Sequence, residues 1–198
     1  EAHATGVLGP RGAGLSASVE SRSDGGGVDL VMGTFSKAFG GFGAYVAGSR
    51  LLCDYLVNAC GGFIFTTALP PAVCAAAAAS IRHLKNSQWE RDRHQERVAR
   101  VKAVLTASGL PVMPSDTHIV PIAVGDPEKC KAASDMLLAD HGIYIQPINS
   151  PTVPKGTERL RVTPSPYHDD KMIDQLADAL VDVWERLDMK LNRALAAE

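Results

Sequence analysis

The chain has 198 residues, of which 45% are hydrophobic and 21% charged, and a formal net charge of −2. That length suffices for one sizeable domain or two small ones. The near-neutral balance argues against a basic surface for nucleic acid or an anionic membrane, and no apolar run reaches bilayer length. Four cysteines, Cys53, Cys60, Cys74 and Cys130, include no CxxC pair, which predicts reduced core thiols of a cytoplasmic protein, not a disulfide framework or a zinc site. His83, His94, His118, His141 and His168 show no metal-ligand spacing, so no metal is expected.

The opening EAHATGVLGPRGAG has no initiator methionine, helix start or strand, and reads as a cut start. Ser16 to Gly27 is expected to be a polar, glycine-rich surface loop. Val28 to Met32 predicts a short buried strand, because it is apolar and β-branched and lies between the Gly25-Gly26-Gly27 turn and Gly33. A second apolar run, Ala44 to Ala47, is reached through Gly40, Gly41 and Gly43, which allow a sharp turn. Lys37 is the sole charged residue between Asp29 and Arg50. Among Gly, Ala and Phe its ammonium is expected to be desolvated, which lowers the pKa and favours a neutral amine that adds to carbonyl groups. Thr34 and Ser36, with the glycine N–H groups, are suited to hold a phosphate beside that amine. Taken alone, a lysine in such a glycine-rich loop is usually a solvated surface residue.

Beyond the loop, Ser49 to Ala59 predicts a helix with Leu51, Leu52, Tyr55 and Leu56 on one face. Phe63 to Phe65 reads as a strand leading to Thr66, Thr67 and a Pro70-Pro71 pair that opens an Ala-rich helix to about Leu84. Trp89 to Ser108 predicts an amphipathic helix whose charges are solvated and ion-paired, with Trp89, Val98, Val101, Val104 and Leu105 on the apolar stripe and Gly109 as its stop. A strand over His118 to Val124, covered on both faces, is followed by a helix from Asp126 to about Asp140 that Gly142 closes. Ile143 to Ile148 reads as an edge or ending strand because of Pro147. Arg159 to Thr163 alternates, placing Arg159, Arg161 and Thr163 on one face. Such arginines normally face solvent, yet a guanidinium is also the group best shaped to grip a carboxylate. The last helix starts at Asp169 and Asp170 and carries Ile173, Leu176, Leu180, Trp184, Leu187, Leu191 and Leu195 toward a core.

The segment GTFSKAFGGFGAYVAG resembles the pyridoxal-phosphate lysine loop of the α-oxoamine synthase family, within the fold type I, aminotransferase-like superfamily. RDRHQERVARVK, SDTHIVPIAVGDPEKCK and GIYIQPINSPTVPKGTERLRVTPSPYHDD are similar to the branch of that family that condenses glycine with succinyl-CoA to 5-aminolevulinate. HATGVLGPRGAG is equally similar to the branch that makes 8-amino-7-oxononanoate in the biotin pathway.

The resemblance implies an α/β fold: the C-terminal part of a cofactor-binding large domain over residues 1–85, then a small α/β domain over 86–198. It implies pyridoxal 5'-phosphate as cofactor, with Lys37 and His3 catalytic. His3 and Thr34 would bind the cofactor, joined by Thr66 and Thr67 acting across a homodimer with shared active sites. Arg161 would bind the amino-acid carboxylate and Thr152 the acyl substrate's carboxylate, with Ser150 where that branch carries an aromatic residue. The N-terminal half of such an enzyme, including the aspartate expected before Glu1, lies outside this sequence, so activity is assigned to the parent polypeptide. Another amino acid:acyl-CoA condensing activity, or an inactive remnant acting as a dimerisation module, are the alternatives.

Overall fold

The computed structural model describes residues 1–20 and 27–192. The apolar runs on either side of Lys37 pair with one another. Strands β1 (Leu30–Thr34) and β2 (Ala44–Gly48) are antiparallel, in register from Leu30↔Gly48 to Thr34↔Ala44. The first therefore begins two residues later than Val28, while Gly25 and Gly26 lie outside the described residues. Gly33 faces Tyr45 so closely that a Cβ there would run into the phenol ring, so the hairpin favours glycine at that point. Before the hairpin, a 3-10 turn spans Pro10–Gly12, and a short helix α1 covers Ser16–Glu20, where a loop was expected. The Glu1 carboxylate accepts from the N–H groups of Leu15 and Ser16 at the start of α1, supplying the anion that a helix start favours.

Helix α2 (Arg50–Ala59) is capped by Ser49, whose hydroxyl accepts from the Leu52 N–H. Its expected apolar face forms, yet no residue of it is buried; Leu51 is 81% exposed. The strand expected at Phe63 to Phe65 is instead a helical turn, α3 (Gly61–Ile64). The Cys60 carbonyl accepts from the N–H groups of Phe63 and Ile64, and the Gly61 carbonyl from that of Phe65. With no neighbouring strand to take those N–H groups, a local turn satisfies them. Helix α4 (Pro71–Asn86) opens on proline, whose fixed φ suits the first helical position. Residues Glu1–Arg91 form one compact unit and Asp92–Glu198 a second.

Helix α5 (Gln88–Ala107) runs into the second unit, which is built on a three-stranded antiparallel sheet. Its order is β3 (Val120–Ala123), β5 (Arg159–Val162), β4 (Gln146–Ile148). Pro147 thus sits on an edge strand, where its missing N–H costs least. Strand β3 is not covered on both faces as expected: Val120 and Ile122 are fully buried, and Pro121 and Ala123 are half-buried. Helix α6 (Pro127–His141) is capped by Asp126 and closed by Gly142 in the left-handed conformation. Helix α7 (Asp170–Arg186) is capped by Asp169. Leu105, Leu137, Leu160, Ile173, Leu180 and Trp184 form the centre of the core. Leu191 packs against it from beyond the end of α7, and Leu195 lies outside the described residues.

Two expectations about side chains are corrected here. All four cysteines are free thiols, but only Cys130 is buried; Cys53 and Cys60 are half-buried, and Cys74 is exposed on the open face of α4. In α5, Arg91, His94 and Arg97 are buried instead of solvated. Their spacing places them in line with Val98, Val101 and Leu105, and each has a specific partner. Arg91 donates to the Leu84 carbonyl at 2.6 Å and to Gln88, His94 bonds the Pro164 carbonyl, and Arg97 pairs with Asp170. Buried polar groups persist where most of their donors are satisfied in this way, although the Nε of Arg97 is buried without a hydrogen-bond partner.

Candidate active site

In the first unit the hairpin carries Lys37 in the turn between β1 and β2. Phe35 donates its N–H to Gly43 and Gly40 to Lys37, so the turn is held by its own backbone. Gly40 and Gly43 adopt positive φ, 62° and 102°. Lys37 is exposed, not desolvated. The aromatic rings of the loop pack on each other and not around the lysine, Phe35 lying 5.2 Å from Phe39 and 5.3 Å from Tyr45. Within the described residues the Lys37 amine has no hydrogen-bond or ion-pair partner. Beside it, the Thr34 and Ser36 hydroxyls are 2.7 Å apart; Thr34 also donates to the Gly43 carbonyl and accepts from the Ser36 N–H.

His3 is exposed, in the turn that precedes the 3-10 helix. That turn is tied to the hairpin: the Glu1 amino group donates to the Met32 carbonyl at 2.8 Å, and the Tyr45 hydroxyl donates to Thr5. Thr66 and Thr67 are exposed just after α3. Lys37, Thr34 and His3 are thus attached to one hairpin, whereas Thr66 and Thr67 belong to the segment leading into α4. A free amine beside two paired hydroxyls fits a cofactor that carries an aldehyde and a phosphate, whereas the N–H groups of Gly40 and Gly41, expected to help hold that phosphate, are taken by the Lys37 and Phe35 carbonyls.

In the second unit, Arg161 is central in the sheet, paired with Pro121 on one side and Gln146 on the other. It is half-buried, and its Nε is buried without a hydrogen-bond partner. Neighbouring Leu160 and Val162 face the core, so the alternation of the strand sends Arg161 to the opposite face. Arg161 lines a cleft of about 910 Å³ together with Tyr144, Gln146, Thr163 and His168. An orphaned guanidinium donor in a cleft fits an arriving carboxylate. Thr152 is exposed in the Asn149–Gly156 loop, its N–H donating to the Asn149 carbonyl.

Sequence reasoning overlooked three residues around Arg161. His168 lines the same cleft, with Nδ1 accepting from the Ser165 N–H at 3.1 Å. This fixes the neutral ring as the tautomer with its proton on Nε2. His94 and Arg97 hold the loop that follows Arg161. The signal for His94 was its place on the buried stripe of α5, where residues 91, 94, 98, 101 and 105 recur at alternating spacings of three and four; Arg97 flanks that stripe, three residues after His94 and four before Val101. Burial lowers the pKa of His94, and its bond to the Pro164 carbonyl opposes that shift in part.

Residues 1–180 match the family model "Aminotransferase class I and II". The chain belongs to that family. Over its whole length this aminotransferase-family chain is 60% identical to a 5-aminolevulinate synthase of Bradyrhizobium diazoefficiens, of which it covers 48%. A serine palmitoyltransferase from S. paucimobilis, solved with bound PLP, superimposes with a TM-score of 0.84 at 30% identity, over 95% of this chain and 47% of that one. The 8-amino-7-oxononanoate synthase of Francisella tularensis superimposes with a TM-score of 0.81 at 25% identity, over 96% and 55%. The chain spans about half the length of the curated relatives it matches. The α/β class expected from the sequence is the class found in the structure and shared with these neighbours. No helix among the described residues is long and apolar enough to cross a membrane.

Proposed function

We propose that the parent polypeptide is a pyridoxal-phosphate-dependent acyltransferase that condenses glycine with succinyl-CoA, giving 5-aminolevulinate, coenzyme A and carbon dioxide. It works as a cytoplasmic homodimer and supplies tetrapyrrole and heme synthesis. The observation that carries this reading is the 60% identity, along the full chain, with a 5-aminolevulinate synthase. The free amine of Lys37 and the partnerless Nε of Arg161 support it from within the molecule.

Each residue has a task on this reading. The Lys37 amine holds the cofactor through its carbonyl carbon, and once released it takes the proton from glycine Cα onto Nζ. The hydroxyls of Thr34 and, from the partner chain, Thr66 and Thr67 hold the phosphate, and His3 lies by the ring. When bound, pyridoxal phosphate supplies an electron sink for the pair left on Cα. Arg161 grips the glycine carboxylate in two parallel hydrogen bonds and so fixes which Cα bond faces the base. Thr152 binds the distal carboxylate of the succinyl group.

Lys37→Ala in the intact, cofactor-supplied protein is expected to abolish turnover, a loss of at least about 10²-fold for a missing proton-transfer group. Retained turnover with normal cofactor binding would sink the assignment. Glycine with succinyl-CoA is expected to outperform alanine with a long-chain acyl-CoA; the reverse preference would indicate an 8-amino-7-oxononanoate synthase instead.

A further inference from the structure

The loop after Arg161 is clasped at both ends by one helix. Strand β5 ends at Val162, and the sheet ladder ends there too, with Val162 opposite Val120. Pro164 follows, buried and unable to donate a backbone N–H. Its carbonyl is bonded to His94 Nε2 at 3.1 Å. Six residues later the loop enters α7 at Asp170, whose carboxylate accepts from Arg97 at 2.5 Å. His94 and Arg97 are three apart on α5, so both project from one face of that helix. Both are buried, 8% and 5% exposed. Between these anchors the loop closes on itself through the bond from the Ser165 N–H to His168 Nδ1.

Arg161 needs such an anchor. Its Nε has no hydrogen-bond partner, so no bond at that atom aims the guanidinium. Its direction is inherited from the backbone of β5, which is held at Arg161 by the ladders to Pro121 and Gln146, at Val162 by Val120, and beyond the ladder by whatever holds Pro164. The His94 ring is itself braced, with the His118 ring 5.3 Å away.

From this geometry we infer that His94 is a positioning residue for the carboxylate clamp, setting the aim of Arg161 through the Pro164 carbonyl while Arg97 holds the far end of the same loop through Asp170. The inference rests on the reading of Arg161 as the carboxylate ligand.

The test uses the full-length, cofactor-loaded enzyme and two readouts: the split between glycine KM and kcat, and glycine affinity in the absence of acyl donor, followed by visible absorption. His94→Ala is expected to raise the glycine KM and dissociation constant about tenfold, the scale of a displaced orienting group, while kcat and the succinyl-CoA KM change by less than about twofold. His94→Gln places an amide N–H where Nε2 stood, and is expected to restore most of the affinity. In an Arg161→Ala background, His94→Ala should add nothing, because groups acting through one contact are not additive. Should His94→Ala fail to fold, Asp170→Asn opens the other end of the clasp from an exposed position, and a rise of about threefold in glycine KM is expected. Unchanged glycine affinity in both His94→Ala and Asp170→Asn, or full additivity with Arg161→Ala, overturns the inference. If Arg161→Ala itself leaves glycine binding intact, the carboxylate-ligand reading falls first, and this inference with it.

Discussion

The two units of this chain solve the burial problem in opposite ways. In Asp92–Glu198 the sheet and α5, α6 and α7 enclose Leu105, Ile122, Leu137, Leu160, Leu180 and Trp184 at 1% exposure or less. In Glu1–Arg91, Ala4 is the one buried hydrophobic residue among those described, while Met32, Phe42, Leu51, Phe63 and Phe65 stand in the open, Phe65 at 89%. The amphipathic pattern of α2 is nearly as strong as that of α7, yet of the two only α7 buries its face. A hydrophobic stripe specifies which face a helix will bury, and the burial itself has to come from another element. The lysine hairpin is therefore held by its backbone bonds and by its own aromatic rings, and the strand that carries Arg161 by a core.

Core truncation is the severest way to break this contrast. Trp184→Ala removes a fully buried indole and is expected to destabilise the second unit by about 3–5 kcal/mol. Phe65→Ala, at an 89% exposed site, should stay within about 0.5 kcal/mol. Urea unfolding of both variants, followed by circular dichroism, checks the pair; a large loss from Phe65→Ala would mean that the first unit is packed against something in solution.

Much of this was legible in the sequence, for identifiable reasons. Gly142 after a 3.6-periodic run, Asp126 before Pro127, and Asp169 before Asp170 each carry the chemistry of a helix end, so α6 and the start of α7 could be placed from local rules. Phe63 to Phe65 misled because apolar and aromatic residues favour a strand only where a neighbouring strand can receive their N–H groups. Lys37 stands isolated among apolar neighbours in the sequence but is exposed in the structure, because desolvation depends on what surrounds the loop, and no residue spacing reports that. Arg91, His94 and Arg97 were read as surface because charge outweighed position. Their register with Val98, Val101 and Leu105 was the better guide, since a buried stripe admits polar groups that find partners.

Helix capping gives a middle-sized contrast. Asp126 accepts from the N–H groups of Glu128 and Lys129 at 2.9 and 2.8 Å, and Asp126→Ala is expected to cost about 1 kcal/mol. Ser49→Ala removes the equivalent bond at the start of α2, 3.2 Å from the Leu52 N–H. Because α2 buries no residue, fraying of its first turn releases no packing, and the global unfolding midpoint should barely move. Amide hydrogen exchange separates the two cases. Ser49→Ala should quicken exchange near Leu52 alone, whereas Asp126→Ala should lower protection throughout the second unit. Equal global effects would argue that the units unfold together.

Acidification offers the gentlest probe, because it perturbs groups without removing atoms. Burial holds the His94 pKa below its ordinary value of 6.5. As pH falls through about 6.5, the unfolded chain binds a proton that the native ring refuses, so stability falls until the native pKa is reached and then levels off. At lower pH a second loss follows: the hydrogen bond from Arg97 holds the Asp170 carboxyl below its ordinary 3.8, so the stability it contributes is present above that value and disappears as pH drops through the native pKa. Both groups belong to the loop clasp of the second unit. The thermal midpoint of that unit should therefore decline between pH 8 and pH 5.5 as the His94 contribution is lost, and Asp170 should add its loss only at lower pH. In His94→Gln, which keeps a donor but cannot titrate, the decline over that window should be absent. A wild-type midpoint that is flat down to pH 5.5 would mean that His94 takes up its proton in place, and that the contact with Pro164 survives with a charged ring inside the fold.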